Sequence, residues 1–191
     1  MSCWVVIPIR APDDGKTRLA ETLDAAARGN LVRAMLERVV GAASNAGNVD
    51  SVCLIGPSRH GLSDRLTLLD DPGTGLNSAA SSARDHAAQL GATRIIILFA
   101  DLPLIAAQDV EQLAATEAIA IAPDRHGIGT NALSLPLPGA KDFAFAFGTG
   151  SFALHQAEAK RLGLIAETIR SPGLARDVDV PDDLPDAAGL L

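Results

Sequence analysis

Short apolar runs alternate along the chain with longer stretches in which apolar residues recur every four positions. The runs are rich in β-branched residues and predict buried strands. The recurrence of Leu31, Met35, Val39 and Ala43 predicts a helix at 25–46 with one apolar face. Strands are predicted at 3–9, 49–55, 66–69, 94–99, 118–122, 132–135 and 164–169. Further helices are predicted at 77–90, 109–115 and 151–162.

The order of these elements predicts the fold class. Strand and helix alternate for most of the length, which is typical of an α/β domain with a mostly parallel central sheet. The run RIIILF at 94–99 is apolar on both faces and predicts a central strand, while the strand at 132–135 is a candidate for antiparallel pairing. Because no repeat, low-complexity tract or linker interrupts the pattern, residues 1–191 are expected to form a single domain.

Composition narrows the classes of function. Aromatic residues are few, so the core must be built from Ala, Leu, Ile and Val, which suits helices packed on a buried parallel sheet. The 16 basic and 23 acidic residues give a net charge of −7. This balance argues against nucleic-acid binding, which rests on many Lys and Arg contacts to phosphate. A small anionic ligand needs only a local positive patch or a bound metal ion, so it remains compatible with the charge.

Cysteine, histidine and leader patterns exclude several further classes. Cys3 and Cys53 lie in apolar runs and predict buried thiols in a reducing compartment, and no CxxC motif is present. The amino terminus lacks a signal-peptide pattern, and no apolar run approaches the ~20 residues of a membrane helix, so we expect a cytoplasmic protein without membrane contact. The histidines share no metal-ligand spacing and are expected at the surface or in loops: His60, His86, His126 and His155.

Ligands of open α/β sheets bind beyond the carboxyl ends of strands, so the loops after strands are the candidate sites. After the first strand, the segment GKTR (15–18) resembles the end of a P-loop, but Arg10 stands where that motif needs glycine, which excludes a Walker loop. Lys16 and Arg18 are compatible with a triphosphate contact. They are also compatible with a solvated basic patch at a helix start, which the spacing alone modestly favours.

Carboxylates provide the second candidate. Asp101 follows the most apolar strand directly, where a carboxylate is costly to bury unless it is paired, binds a metal or caps a helix. Asp177 and Asp179 are two residues apart, so in an extended segment they point the same way. Their repulsion would be relieved by a divalent cation such as Mg²⁺ or Mn²⁺. An ordinary acidic surface turn is the alternative for the pair alone, but together with Asp101 it favours a metal site for phosphoryl chemistry.

Two glycine-rich loops, at 127–131 and 147–152, complete the candidate chemistry. The second begins the helix at 151–162, so its backbone N–H groups and the Ser151 hydroxyl are suited to holding a phosphate. A helix cap after a flexible turn is the alternative for Ser151.

In order, these segments resemble a known family. The matching segments are WVVIPIR with GKTRLA, PGTGLNSAA, ADLPL, APDRHGIGTNAL, FGTGSFALH and GLARDVDVPDDL, which spread from residue 4 to residue 184. They resemble the guanylyltransferases that activate 2-phospholactate or phosphoenolpyruvate for biosynthesis of the deazaflavin redox coenzyme. Each motif is weak by itself, but the ordered set is specific.

The resemblance implies a Rossmann-like nucleotidyltransferase fold with helices on both faces of the sheet, GTP as donor, and Mg²⁺, or alternatively Mn²⁺, as cofactor. It implies that Asp101, Asp177 and Asp179 bind the metal ions, and that Lys16, with Arg18 nearby, faces the triphosphate. It further implies two sets of binding residues. The set near the guanine is Gly75, Leu76 and Asn77, and the set for the phosphorylated acid is Thr130, Gly148 and Ser151.

The implied reaction is in-line attack of the acid's phosphate oxygen on the α-phosphorus of GTP, with release of pyrophosphate. No general base is needed, because the attacking phosphate is already ionised. The alternatives are the same reaction on 3-phosphoglycerate or another phosphorylated acceptor, and a non-catalytic nucleotide-binding protein. Three aspartates together with Lys16 argue against a mere binding protein.

The chain departs from the family pattern in ways that bear on the acceptor. Arg10 stands where many members have Lys, Ile128 stands where Thr is frequent, and the segment between Ser58 and Leu68 is short. These departures leave the choice of acid open, together with a nucleotide-binding role for Arg10. A homodimer and hand-over of the product to a downstream ligase also stay open.

Overall fold

The computed structural model describes residues 2–10 and 16–190. Within these residues, seven strands form one sheet: β1 (Cys3–Pro8), β2 (Ser51–Ile55), β3 (Thr67–Leu69), β4 (Arg94–Leu98), β5 (Ile119–Pro123), β6 (Thr130–Pro136) and β7 (Ala166–Thr168). The α-helices are α1 (Ala25–Asn45), α2 (Leu76–Gln89), α3 (Ala107–Ala115), α4 (Ser151–Arg161) and the short α5 (Pro172–Ala175). Two 3₁₀-helices span Thr17–Leu19 and Pro181–Ala187. The loop predicted after β1 lies mostly outside the described residues, as does Gly15 of the GKTR segment.

The sheet has the order β3-β2-β1-β4-β6-β5-β7. Only β6 runs against its neighbours, pairing antiparallel with both β4 and β5, while the other pairings are parallel. The mostly parallel sheet, the central position of β4 and the antiparallel pairing of β6 are therefore confirmed. The strand order reverses between β1 and β4, and this reversal opens a crevice at their carboxyl ends.

Helices cover both faces of the sheet, as predicted. On one face, Leu36 and Val39 of α1 and Leu113 of α3 join the core against β1, β2 and β4. On the other face, α2 contributes a stripe of alanines and α4 contributes Ala159. The start of α2 also reaches the crevice, because Leu76 and Ala79 are part of its lining.

A third, smaller cluster joins α1 to the carboxyl-terminal segment. Leu31 and Met35 of α1 pack with Leu19, Val178 and Ala187, and all five side chains are at most 1% exposed. The helix begins at Asp24, whose side chain accepts a hydrogen bond from the Ala27 N–H at 2.8 Å. Because Val178 is buried here, the aspartates on either side of it turn away from this cluster.

The central strand carries one charge that its apolar pattern does not predict. Arg94, at the start of β4, is only 7% exposed. Its guanidinium donates to Ser134 Oγ at 2.8 Å and to the backbone carbonyls of Thr116 and Ala118. These acceptors satisfy the buried cation and join β4 to β6 and to the loop before β5. No helix within residues 2–10 and 16–190 is long and apolar enough to cross a membrane.

Candidate active site

A cleft of about 1200 Å³ lies at the carboxyl ends of β1, β2 and β4, beside the amino end of β6. Its lining includes the following predicted site residues: Lys16, Arg18, Gly75, Leu76, Asp101, Thr130, Gly148, Ser151, Asp177 and Asp179. Asn77 alone of the predicted residues is not part of the lining. Residues separated by up to 163 positions in the chain therefore meet in one concave site.

The floor of the cleft depends on Gly56, which follows β2. Its φ is +151°, and an added Cβ would collide with the backbone carbonyl of Ile9. The Ile9 N–H donates to the Ile55 carbonyl at 2.9 Å, so β1 and β2 stay paired up to this point. A side chain at position 56 would therefore push apart the segments that leave β1 and β2 beside the cleft.

Lys16 bridges two carboxylates at one end of the cleft. Its Nζ lies 2.5 Å from Asp101 Oδ2 and 2.8 Å from Asp179 Oδ1, and its side chain is only 11% exposed. Burial lowers the pKa of Lys16, but the charges of Asp101 and Asp179 outweigh it and raise this pKa above its usual value. Lys16 is therefore a fixed cation at the centre of an acidic cluster.

The carboxylates of this cluster have different environments. Asp101 Oδ1 is buried without a hydrogen-bond partner among the described residues. Burial and the neighbouring charge of Asp101 raise the pKa of Asp177. Burial also acts on Asp179, but the charge and hydrogen bond of Lys16 outweigh it and lower its pKa. In the described part of the chain, no group of three or more His, Cys, Asp or Glu side chains is already gathered around a metal position.

The Asp177–Asp179 segment is held in place from two sides. The Val178 N–H donates to the Asp101 carbonyl at 3.3 Å, so the backbone after β4 carries this segment directly. Asn131 Nδ2 donates to Asp177 Oδ1 at 3.3 Å and to the Leu174 carbonyl at 3.0 Å. Because Asn131 is 4% exposed and lies at the start of β6, it ties the carboxyl-terminal segment to the sheet.

Arg125 and Asp183 hold the same segment from its outer side. Arg125 Nη2 lies 2.6 Å from the Asp177 carbonyl and 2.8 Å from Asp183 Oδ1. Asp183 Oδ2 accepts from the N–H groups of Asp179 and Val180 at 2.8 and 2.9 Å. The backbone on which both cleft aspartates stand is thus fixed by charged side chains.

Sequence reasoning misses Asn131, Arg125 and Asp183. The sequence carries only a weak signal for them: they lie in the segments APDRHGIGTNAL and GLARDVDVPDDL, close to the predicted site residues. Motif spacing identifies the side chains that face a ligand. It does not identify the partners that orient them, because these partners come from distant segments.

The start of α2 forms the second part of the cleft. Gly75 precedes the helix with φ +108°, a conformation that side chains disfavour, and Leu76 begins it. Asn77 points away from the lining toward the loop before α4. Its Nδ2 donates to the Phe147 carbonyl at 3.2 Å, and its Oδ1 accepts from the Phe147 N–H at 2.7 Å. Asn77 therefore fastens the start of α2 to the loop before α4.

The glycine-rich loop before α4 forms the opposite end. Gly148 has φ +132°, Gly150 has φ +74°, and Ser151 is the first helical residue, with 1% exposure. Ser151 is not the N-cap, since Gly150 takes that position. Two helix-terminal amides are already used, because the Ser151 N–H donates to the Gly148 carbonyl and the Phe152 N–H to the Ile128 carbonyl. The helix start thus offers fewer free N–H donors than expected.

The hairpin between β5 and β6 is rigid at its base. Both carboxylate oxygens of Asp124 accept backbone N–H groups, from Ile128 at 2.9 Å and from Gly129 at 2.8 Å. Thr130, which follows, is 2% exposed and lines the cleft. Ile128 itself is 55% exposed.

One histidine contradicts the expectation of a surface or loop position. His155 lies within α4 and is fully buried, with 0% exposure. Its Nδ1 lies 3.1 Å from Thr130 Oγ1, and its Nε2 lies 3.1 Å from the Ala146 amide nitrogen. The expectation rests on the absence of metal-ligand spacing, and such spacing does not report on burial within a helix.

Comparison with known proteins decides the family. Residues 3–188 match the family described as Guanylyl transferase CofC like. The chain belongs to this family. The phosphoenolpyruvate guanylyltransferase of Sphaerobacter thermophilus is 40% identical over 196 residues, which cover 99% of this chain and 94% of that protein. The phosphoenolpyruvate guanylyltransferase of Rubrobacter xylanophilus is 38% identical over 192 residues, covering 96% of this chain and 92% of that protein.

Solved structures agree on the fold. A crystal structure of a candidate nucleotide-diphospho-sugar transferase from Desulfovibrio desulfuricans superposes with a TM-score of 0.79 at 17% identity, covering 96% of this chain and 85% of that one. The Rossmann-like nucleotidyltransferase fold and the guanylyltransferase class that the sequence predicts are confirmed. The individual roles of the cleft residues stay predictions.

Proposed function

We propose that this member of the guanylyl transferase CofC like family moves the guanylyl group of GTP to phosphoenolpyruvate or 2-phospho-L-lactate and releases pyrophosphate. The observation that carries the proposal is the similarity, over nearly the whole chain, to phosphoenolpyruvate guanylyltransferases. The cleft supports it, because its two ends differ in chemistry. One end is acidic and bridged by Lys16, which precedes a 3₁₀-helix, and the other end is rich in glycine and borders the start of α4.

The lysine-bridged end suits the triphosphate. The cationic residues of the cleft lining include Lys16, Arg10 and Arg18. Burial raises the pKa of Asp179, but the charge of Lys16, helped by Arg18 and Arg10, lowers it overall. A positive cluster of this kind neutralises phosphate charge during transfer. A nucleotide-binding role for Arg10 is part of the proposal. The loop that contains Gly75 and Leu76 borders the same space and is proposed to lie near the guanine.

The acidic residues suit Mg²⁺ or Mn²⁺. Asp101 Oδ1 is a buried carboxylate oxygen without a partner among residues 2–10 and 16–190, which fits a metal ligand, and Asp177 and Asp179 would supply further oxygens. When bound, the metal would neutralise charge on the reacting phosphates. Lys16 now occupies the space between Asp101 and Asp179, so its ammonium would exchange these partners for phosphate oxygens.

The reaction needs alignment more than proton transfer. The attacking phosphate is largely ionised at neutral pH, since its second pKa is about 6. Thr130, Gly148 and Ser151 would hold the acid, while Lys16 and Arg18 would hold the donor, so that oxygen and α-phosphorus meet in line. The backbone network of Asn131, Arg125 and Asp183 would keep the aspartates fixed meanwhile. The product is a reactive phosphoanhydride, so its hand-over to a ligase is chemically reasonable.

The test is pyrophosphate release by the purified chain with Mg²⁺. GTP, ATP, CTP and UTP would each be combined with phosphoenolpyruvate, 2-phospho-L-lactate and 3-phosphoglycerate, and with no acceptor. We expect release from GTP far above the other nucleotides, only when phosphoenolpyruvate or 2-phospho-L-lactate is present. Comparable turnover with ATP would remove the guanine assignment, and preference for 3-phosphoglycerate would replace the acceptor. Nucleotide binding without turnover on any acid would indicate a non-catalytic protein.

A further inference from the structure

His155 is buried and hydrogen-bonded through both ring nitrogens, and it has no role in the proposed reaction. The ring packs between aromatic side chains, with its centroid 4.8 Å from that of Phe147 and 5.8 Å from that of Phe143. Both ring nitrogens nevertheless have polar partners, Thr130 on one side and the Ala146 backbone on the other.

The two partners determine which nitrogen carries the proton. A backbone N–H can only donate, so Nε2, 3.1 Å from the Ala146 nitrogen, must be the unprotonated acceptor. In a neutral ring the hydrogen then sits on Nδ1. The Nδ1–H therefore donates to Thr130 Oγ1 at 3.1 Å, and the Thr130 oxygen accepts.

This direction of donation has a consequence for Thr130. Its oxygen already accepts from His155, and its own hydroxyl hydrogen cannot point back at Nδ1. No acceptor for that hydrogen is found among the described residues, and Thr130 lines the cleft at the amino end of β6. A buried hydroxyl donor that faces a cleft suits an anionic oxygen of a ligand.

We propose that His155 is a positioning residue, which makes the Thr130 hydroxyl a dedicated hydrogen-bond donor for an anionic group of the acceptor acid. The inference rests on the proposed function and assigns part of its acceptor recognition to a side chain that does not touch the substrate. It also explains why α4 and the hairpin before β6 are joined at this point, since His155 links Thr130 to the loop that contains Gly148.

The electrostatics of the ring agree with this role. Burial lowers the pKa of His155 to about 4, despite the opposing charge of Glu158. The ring is therefore neutral at physiological pH and keeps one donor and one acceptor. A protonated ring would carry a hydrogen on Nε2, opposite the Ala146 N–H, and would lose that bond.

Two amide variants separate the two bonds. In His155→Asn the side-chain nitrogen replaces Nδ1 and can still donate to Thr130, whereas in His155→Gln the longer side chain reaches the Ala146 N–H instead. Gln156→Ala, exposed on the same helix, serves as the control. We expect His155→Gln to raise the KM of the acid about 10-fold, in line with the weakening of one charge-assisted hydrogen bond. His155→Asn and the control should stay within about 3-fold, and the KM of GTP should change little in all three variants.

The combination with Thr130→Val tests whether His155 acts through Thr130. The double variant with His155→Gln should be no worse for the acid than Thr130→Val alone, because the two residues form one unit. Additive losses, equal damage by His155→Asn and His155→Gln, or an equal rise in the KM of GTP would overturn the inference. Matched thermal melts identify variants that fail to fold.

A spectroscopic measurement on the unaltered protein completes the test, because its result does not depend on whether any variant folds. Nitrogen-15 NMR of the His155 imidazole should report a neutral ring with hydrogen on Nδ1 at pH 7, and an Nε2–H ring would overturn the inference. Failure of the proposed function would look different, because the unaltered protein would then release no pyrophosphate from GTP with any acid.

Discussion

Lys16 sets two of the three cleft aspartates apart from the third in their electrostatic environment. It lies within 2.8 Å of Asp101 and Asp179, whereas Asp177 accepts from the uncharged amide of Asn131. Asn substitutions at these positions change charge with little change in shape. They can therefore separate a contribution to catalysis from a contribution to stability.

Asp101→Asn and Asp179→Asn should each lower turnover with Mg²⁺ by about 100-fold or more, since an important electrostatic contributor to the transition state is lost. Asp177→Asn should be similar or milder. The measurement is the rate of pyrophosphate release, and Asp182→Asn, exposed in the same segment, is the matched control. Near-normal rates in all three variants would make the metal-triad hypothesis wrong.

The same carboxylates should affect stability in opposite directions. The pKa of Asp177 is raised, by burial first, so the folded state binds its proton more tightly, and stability falls as pH rises through that pKa. Asp177→Asn should therefore be more stable than the unaltered chain at pH 7, with a difference that vanishes as pH falls below about 4. Asp179, whose pKa is lowered, should show the opposite sign. Thermal melts across pH without metal check this, and equal signs would contradict it.

At the scale of elements, the local sequence pattern predicts that a helix or strand forms better than it predicts where that element lies in the fold. The face of α1 is readable because Leu31, Met35, Val39 and Ala43 repeat with the helix, and all four are buried. The order of the strands depends on contacts between distant segments and is not contained in any window of sequence. Burial of His155 and Arg94 likewise depends on partners from other elements, which is why a helix pattern and an apolar run do not reveal it.

The separation of the cleft into two ends predicts separable kinetics. Ser151→Ala, at the start of α4, should raise the KM of the acid by an amount equivalent to about 1.5–3 kcal/mol and spare GTP, because one hydrogen bond to a charged group is lost. Lys16→Ala should impair GTP use or turnover first. Initial rates with each substrate varied in turn distinguish these results. Weakened GTP binding in Ser151→Ala would mean that the two ends are assigned in reverse.

The clasp between α2 and the loop before α4 predicts a stability effect. In Asn77→Asp the side chain still accepts the Phe147 N–H but no longer donates to the Phe147 carbonyl, and places a carboxylate beside that oxygen. We expect a loss of about 1–3 kcal/mol in the free energy of unfolding, measured by urea denaturation. Ser78→Ala, one residue further along the helix, is the comparison variant. An unchanged midpoint for Asn77→Asp would show that the clasp contributes nothing.

At the scale of the whole molecule, the three apolar clusters contain none of the cleft aspartates. Removal of metal with EDTA should abolish turnover, because the proposed reaction requires the ion. The melting temperature of the chain without substrate should change by no more than about 2 °C, because the core does not depend on the ion. Readdition of Mg²⁺ or Mn²⁺ should restore the rate. Undiminished turnover in EDTA would contradict the proposed metal requirement, and cooperative unfolding in EDTA would contradict the independence of the core.

The reversed direction of β6 has an evolutionary consequence. Because this strand enters the sheet from the cleft side, residues 124–129 form a closed excursion between two paired strands. The exposed side chains at its tip, His126 and Ile128, are free to diverge while Asp124 and Arg125 keep their contacts and the ladders on either side keep their register. The lysine-bridged end, which is proposed to hold the donor, has no such freedom, since Lys16 contacts both Asp101 and Asp179. Selection for a new acceptor can thus proceed by substitutions at the exposed tip of this hairpin, while Asp124 and Arg125 keep the hairpin base and the Asp177–Asp179 segment in place.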